Sequence, residues 1–341
     1  MSSNDILLNQ INTVAFVLSV GLSLISFALG IVGLVCNVFV FTRPSLRRQS
    51  CSLFFFASTF YDLYVILIVI PVRILSNNFN IDSANYNLVC CKLETFSFFA
   101  SRTISCWLIA AATIDRFLHS SSNASIRQLS SLKTAKLTIV IISITIPLVY
   151  SHMIAYFQII NVPDRFGNVV PVCNGQIGIY RTFLGFWYMV WYSFFPSFIM
   201  LLFGLLTLHN LRQRRKIAVR LSDKNQVTRR TDTQLLRMLT AQVLLIIVFT
   251  LPFSIYRLYS TFTVNLTKST LRIAQENLAF QIVGAMTYFA HSSSFYLYTL
   301  TGTLFRKEFI KIINRYRDPN RNSTLQPVDV IHSIAILQRN K

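Results

Sequence analysis

The chain has 341 residues, of which 53% are hydrophobic and only 13% are charged, and its formal net charge is +20. Soluble globular domains hold about a quarter of their residues charged, so this composition argues against a water-soluble domain. The excess of Lys and Arg alternates with long apolar runs, which is typical of the flanks of membrane helices. We therefore expect a protein embedded in the lipid bilayer that does not bind nucleic acid.

Seven apolar stretches are each long enough to cross a bilayer as a helix, which takes about 20 predominantly apolar residues. They cover residues 13–41, 51–76, 91–118, 134–158, 179–208, 236–262 and 277–304. The fold class predicted is an all-α membrane protein, a bundle of seven transmembrane helices over residues 13–304.

Lys and Arg fall mainly in the loops after the first, third and fifth spans and in the tail, whereas the first 13 residues contain none. Because basic residues mark the cytoplasmic side, we expect segment 1–12 outside the cell and the tail 317–341 inside. The N-glycosylation motif at Asn265 then falls in an extracellular loop, which agrees with this orientation.

Polar side chains interrupt the first two spans. Asn37 lies in the first span and Asp62 in the second. A carboxylate at membrane depth is costly unless it is protonated, paired or solvated by an inner cavity. We favour a functional or ion-binding role for Asp62, with a structural hydrogen-bonding role as the alternative.

The third span carries a cysteine at its outer end and the triplet Asp115-Arg116-Phe117 at its inner end. Cys173, in the loop after the fourth span, lies on the same oxidising side, where a disulfide is compatible with the compartment. The residues alone leave two partners open for Cys173, namely Cys91 and its neighbour Cys90.

The seven spans, Asn37, Asp62, Cys91, the Asp115-Arg116-Phe117 triplet and Cys173 together resemble the rhodopsin-like family of G-protein-coupled receptors. The resemblance covers about residues 13–316. It implies a receptor, not an enzyme, that binds an extracellular ligand at the plasma membrane and activates a heterotrimeric G protein inside. It also selects Cys91 over Cys90 as the partner of Cys173, by the spacing from Arg116.

The resemblance gives Arg116 a role in a switch. Asp232, at the start of the sixth span, matches the acidic position with which the family's arginine forms an inactive-state lock, and Tyr298 matches the tyrosine of the seventh span. The alternative is that Arg116 extends to lipid headgroups. The chain departs from the family at several other positions: Gly204 replaces a tyrosine, Thr250 a tryptophan, and Ser294-Phe295 an Asn-Pro pair, and the fourth span has no tryptophan at mid-helix.

An amphipathic eighth helix is predicted over residues 305–316. Phe305 and Phe309 lie on one face of this segment, and Arg306, Lys307 and Lys311 lie on another. We expect this helix to rest on the membrane surface.

The resemblance also suggests an allosteric sodium ion, with no other cofactor. Its site would combine Asp62 with Ser101 and Ser105, which lie four residues apart on one helix face, and with Asn37 and Ser294. A polar network filled with water is the alternative.

The outer halves of the spans contain a set of basic and aromatic residues that we predict to bind the ligand: Arg73, Glu94, Phe98, Arg102, Tyr256, Arg257 and Tyr288. Phe98 stands where amine receptors carry aspartate, so an amine ligand is disfavoured. Arginines around an aromatic cavity suit a carboxylate, a phosphate or an acidic peptide. Pairing of Arg102 with Glu94 or with carbonyl groups is the alternative.

Two other protein classes fit the sequence less well. A transporter or channel predicts internal repeats or matched broken helices, and the sequence shows no such repeat. The five histidines have no metal-ligand spacing and no nucleophile stands beside a base, so an enzyme is a poorer prediction still.

Overall fold

The computed structural model describes residues 3–79, 81–163, 169–218, 226–263 and 266–317. Asn265 and the tail from residue 318 lie outside the described residues, and so does the side chain of Asp232. The predictions made for these positions therefore stay predictions.

Seven helical spans form the bundle. The first is α1 (Ser3–Phe41); the second joins α3 (Ser50–Tyr64), a π-helical turn (Val65–Val69) and α4 (Ile70–Phe79); the third is α5 (Leu88–Ser120); the fourth joins α7 (Leu132–Tyr150) and α8 (His152–Tyr156). The fifth joins α9 (Ile179–Tyr188), a π-helical turn (Met189–Phe194) and α10 (Phe195–Ala218); the sixth is α11 (Gln226–Phe262); the seventh joins α12 (Thr270–Ser292) and α13 (Ser294–Thr301).

Shorter elements connect the spans. They are α2 (Pro44–Arg47), a 3₁₀ turn (Ser83–Asn85), α6 (Ala124–Gln128), the strands β1 (Phe157–Pro163) and β2 (Val169–Gly175), and α14 (Thr303–Arg317), the helix after the seventh span.

The predicted bundle of seven spans is confirmed. Six spans contain helices that are long and apolar enough to cross a membrane. The seventh span is more polar and is divided at Ser293, where α12 ends and α13 begins. The first span packs against the seventh through α1 and α12, and α5 packs against α3 and α10.

The third span is the central helix of the bundle. In its most apolar stretch 72% of the residues are buried, against 17% in the fourth span. The fourth span leaves a row of aliphatic side chains exposed, including Leu137 and Leu148, as expected for a helix that faces lipid. Asn87 caps α5 by accepting hydrogen bonds from the backbone N–H groups of Val89 and Cys90.

Glycines let the first span approach its neighbours closely. A Cβ atom on Gly33 would lie 3.0 Å from Cβ of Phe295, and one on Gly30 would lie 2.8 Å from the side chain of Ile66. Small residues at such contacts allow helix backbones to pack together in the absence of water. Phe295, which replaces the family's proline, is therefore seated against a glycine of α1.

The loop after the fourth span forms a hairpin that the sequence did not predict. Strands β1 and β2 are antiparallel, with Ile159 opposite Cys173. Cys173 is bonded to Cys91, with 5.5 Å between their Cα atoms, so the predicted disulfide is confirmed. The Cys173 N–H also donates to Oδ1 of Asn85 at 2.8 Å. These two ties hold the hairpin at one end of the bundle, which we call the disulfide end.

Candidate functional site

A cavity of about 290 Å³ lies at the disulfide end of the bundle. Its walls come from the first, second, third, sixth and seventh spans, and the hairpin contributes Phe157, Val172, Cys173 and Asn174. Clefts of this size between helices are common small-molecule or peptide sites. We call it the outer cavity.

Three arginines line the outer cavity, each from a different span: Arg73, Arg102 and Arg257. The Arg73 guanidinium lies 5.2 Å from the ring centre of Phe98, and that of Arg102 lies 5.1 Å from the ring centre of Tyr288. Both contacts are within the range of cation–π attraction.

No Asp or Glu is among the described residues that line the cavity. Within this part of the chain, no carboxylate forms an ion pair with any of the three arginines. Nε of Arg102 is buried without a hydrogen-bond partner among these residues. The cavity thus holds three guanidinium groups without an ion pair among the described residues, although the charge of Arg73 acts on the nearby Glu94 carboxyl group.

The structure brings together five of the seven predicted ligand residues, because Phe98 and Tyr288 line the cavity with the arginines. Tyr256 does not line it and donates to the Glu276 carbonyl oxygen at 2.8 Å. Glu94 does not line it either, and its Oε1 is buried with no partner in the described chain. The alternative pairing of Glu94 with Arg102 is not found.

Sequence reasoning missed a polar patch on the cavity wall. Ser19 Oγ donates to Oε1 of Gln281 at 3.0 Å, and Asn78 Nδ2 donates to Ser19 at 3.4 Å. The signal was present in the first span, where Ser19, Ser23 and Ser26 recur at helical spacing and are all buried.

A second polar cluster is buried around Asp62, which is 4% exposed. Its Oδ1 accepts from Ser105 Oγ at 2.5 Å and lies 2.7 Å from Nδ1 of His291. The sequence predicts Asp62 and Ser105 at this site but does not predict His291.

The other residues of the predicted sodium site form hydrogen bonds with groups other than Asp62. Asn37 Nδ2 donates to Ser294 Oγ at 3.0 Å. Ser101 Oγ donates to the carbonyl oxygen of Phe98, one turn earlier in its own helix.

The opposite end of the bundle holds Asp115 and Arg116, which are each 6% exposed. Nη2 of Arg116 lies 3.0 Å from Oδ2 of Asp115. The same carboxylate accepts from Ser50 and Ser130, both at 2.8 Å, which ties the second span and the loop before α7 to the third span. Phe117 packs against Phe203 with ring centres 5.3 Å apart.

Tyr298 is 1% exposed and packs against Phe41, Phe55 and Phe305, with ring centres 5.0 to 5.8 Å away. Its hydroxyl has no hydrogen-bond partner within the described ranges. A small apolar cavity of about 70 Å³ lies beside Arg116 and includes Gly204, whose missing Cβ would meet no atom within 4 Å.

The seven spans, the disulfide that ties a hairpin over a cavity, and the buried Asp115–Arg116 pair describe a seven-helix membrane receptor. The family described as 7 transmembrane receptor (rhodopsin family) matches residues 33–295, and the chain belongs to it. No individual curated protein matches the chain.

Family membership confirms the resemblance seen in the sequence. The chain is a multi-pass membrane receptor of the G-protein-coupled class, and the alternative of a transporter or channel is set aside. Members of this family are receptors, not enzymes, and a ligand and a G protein are their general partners.

Proposed function

We propose that this protein is a plasma-membrane receptor that binds a ligand with an anionic group, most simply an acidic peptide, in the outer cavity. The observation that supports this is the set of three cavity arginines without a carboxylate. The disulfide end then faces the outside of the cell, and Arg116 faces the cytoplasm.

The geometry of the arginines suits recognition of an anion. The guanidinium groups of Arg73 and Arg102 each lie over an aromatic ring. Nε of Arg102 has no partner among the described residues, and a guanidinium group can bind a carboxylate or phosphate bidentately. An anionic ligand supplies an ion-pair partner that the described lining residues do not.

Two acidic residues elsewhere at the disulfide end, Glu276 and Asp82, form hydrogen bonds with other groups. Glu276 accepts from Lys268, from Arg272 at 3.1 Å and from Tyr259 at 2.9 Å. Asp82 accepts from the backbone N–H of Ala84 at 2.9 Å. Within the described ranges, neither carboxylate forms an ion pair with a cavity arginine.

Binding couples to signalling because the arginines lie on different spans. An anion held between Arg102 of the third span and Arg257 of the sixth favours the state in which the two spans approach each other at the disulfide end. The other ends of the fifth and sixth spans then separate from the third, which exposes Arg116 to a G protein. The ligand acts through its differential affinity for the two states.

Nucleotide exchange on a purified G protein tests this proposal, with reconstituted full-length receptor and a library of peptides that differ in their acidic residues. We expect acidic peptides to stimulate exchange. Arg257→Gln should raise the half-maximal peptide concentration at least about 10-fold, because a charge-assisted hydrogen bond contributes about 1.5–3 kcal/mol.

Arg272→Gln is the matched control. Arg272 also lies at the disulfide end, but it pairs with Glu276 and does not line the cavity. Equal losses in both variants, or stimulation by cationic peptides alone, would contradict an anion site in the cavity.

A further inference from the structure

The cluster around Asp62 joins four spans through side chains that are almost fully buried. Asp62 comes from the second span, Ser105 from the third, Tyr192 from the π-helical turn of the fifth, and His291 from the seventh; their exposed fractions are 4%, 4%, 0% and 3%. Hydrogen bonds connect them in one chain, from Ser105 to Asp62, His291 and Tyr192.

The proton positions follow from the donors and acceptors. An ionised carboxylate only accepts hydrogen bonds. When Asp62 is the carboxylate, Nδ1 of His291, 2.7 Å from Oδ1 of Asp62, is the donor of this hydrogen bond. Nε2, the other ring nitrogen, lies 3.3 Å from the Tyr192 hydroxyl. Both nitrogens of the imidazole are thus engaged, and the ring is fixed against the carboxylate.

A sodium ion does not fit this arrangement. Small hard cations in proteins are held by several oxygen ligands, and here an N–H group faces the carboxylate oxygen. Ser105 directs its hydrogen to the same oxygen, and Ser101 turns to the carbonyl of Phe98. Asn37 and Ser294, also expected near the ion, bond to each other.

We infer that His291 takes the place of an allosteric cation, so that the link between the second and seventh spans is made by the chain itself and the receptor does not respond to sodium. The imidazole supplies the donor that compensates the buried carboxylate, which is otherwise costly at membrane depth. This inference concerns the interior of the bundle and holds whatever ligand the outer cavity binds.

Thermal unfolding of the purified full-length receptor tests the inference, in NaCl and in N-methylglucamine chloride at equal ionic strength. We expect the same midpoint temperature in both salts for the natural sequence. The inference would be overturned if the midpoint temperature of the natural sequence rose with sodium to a plateau and that of Asp62→Asn did not. This comparison requires no substitution at His291.

The variant His291→Ser is expected to gain a response to sodium. It removes the imidazole, leaves space beside the carboxylate and provides a hydroxyl oxygen. Its midpoint should rise with sodium and saturate, because an ion that binds only the folded state stabilises it. The double variant with Asp62→Asn should lose that rise. A folded His291→Ser receptor with equal midpoints in the two salts would also count against the inference.

Discussion

Tyr298 is a buried tyrosine that packs with its ring and leaves its hydroxyl unpaired within the described part of the chain. A buried polar group without a hydrogen-bond partner costs free energy. Removal of such a group breaks no hydrogen bond and is therefore nearly neutral or favourable. We expect Tyr298→Phe to raise the free energy of unfolding by about 1 kcal/mol, measured as a higher midpoint in thermal unfolding.

Tyr296→Phe is the control for this prediction. Its hydroxyl donates to the carbonyl oxygen of Leu29 at 3.1 Å, so the same chemical change breaks a hydrogen bond between the seventh and first spans. Its midpoint should fall. If both variants lose the same stability, the Tyr298 hydroxyl has a partner.

At the level of single residues, the sequence predicted the charged residues of the outer cavity better than it predicted contacts between side chains. Arg73, Arg102 and Arg257 were identified because guanidinium groups are rare inside apolar spans. His291 was missed because a single histidine in an apolar run does not by itself indicate a polar site. Its partner, Asp62, lies 229 residues away in sequence, and their contact depends on how the second and seventh spans pack.

Among the elements, the contact between the first and seventh spans depends on Gly33. A methyl group there would lie 3.0 Å from Cβ of Phe295 and 3.2 Å from the ring of Tyr296. We expect Gly33→Ala to cost about 1–3 kcal/mol of folding free energy, since overpacked sites force side chains and backbone apart. Thermal unfolding measures the loss.

Gly21→Ala, in the same helix, is the matched control. A Cβ atom at Gly21 meets nothing within 4 Å, and alanine favours helix over glycine by about 1 kcal/mol. This variant should be neutral or more stable. Similar losses at both glycines would show that the helix backbone, and not the contact with Phe295, sets the effect.

The positions of the spans were predictable because length and apolarity decide which segments cross a bilayer. The breaks inside them were not. The π-helical turns at Val65–Val69 and Met189–Phe194 each end shortly before a proline, Pro71 or Pro196, and Ser293 lies in a run of three serines. These residues mark a possible break in a helix but do not determine its geometry. The hairpin of β1 and β2 was missed for a related reason, since two strands alone are marginal and depend here on the disulfide and on Asn85.

For the whole molecule, the disulfide connects the hairpin to the central helix over 82 residues of sequence. We expect Cys173→Ser to lower the free energy of unfolding by about 2–4 kcal/mol. Because hairpin residues also line the outer cavity, this variant should need a higher peptide concentration for half-maximal nucleotide exchange.

Cys90→Ser provides the comparison, because Cys90 is a free thiol next to the bonded Cys91. It should leave both the midpoint and the exchange response unchanged. A loss of stability in Cys90→Ser equal to that in Cys173→Ser would indicate that Cys90 competes for the disulfide.

The uneven burial of the spans determines where this receptor tolerates amino-acid substitutions. The third span is largely buried against its neighbours, so a substitution there changes the volume or charge of a packed contact. The fourth span leaves most of its apolar stretch exposed, and an exposed face that meets acyl chains accepts leucine, isoleucine, valine or phenylalanine almost alike. Related sequences should therefore differ most along the fourth span and least along the third.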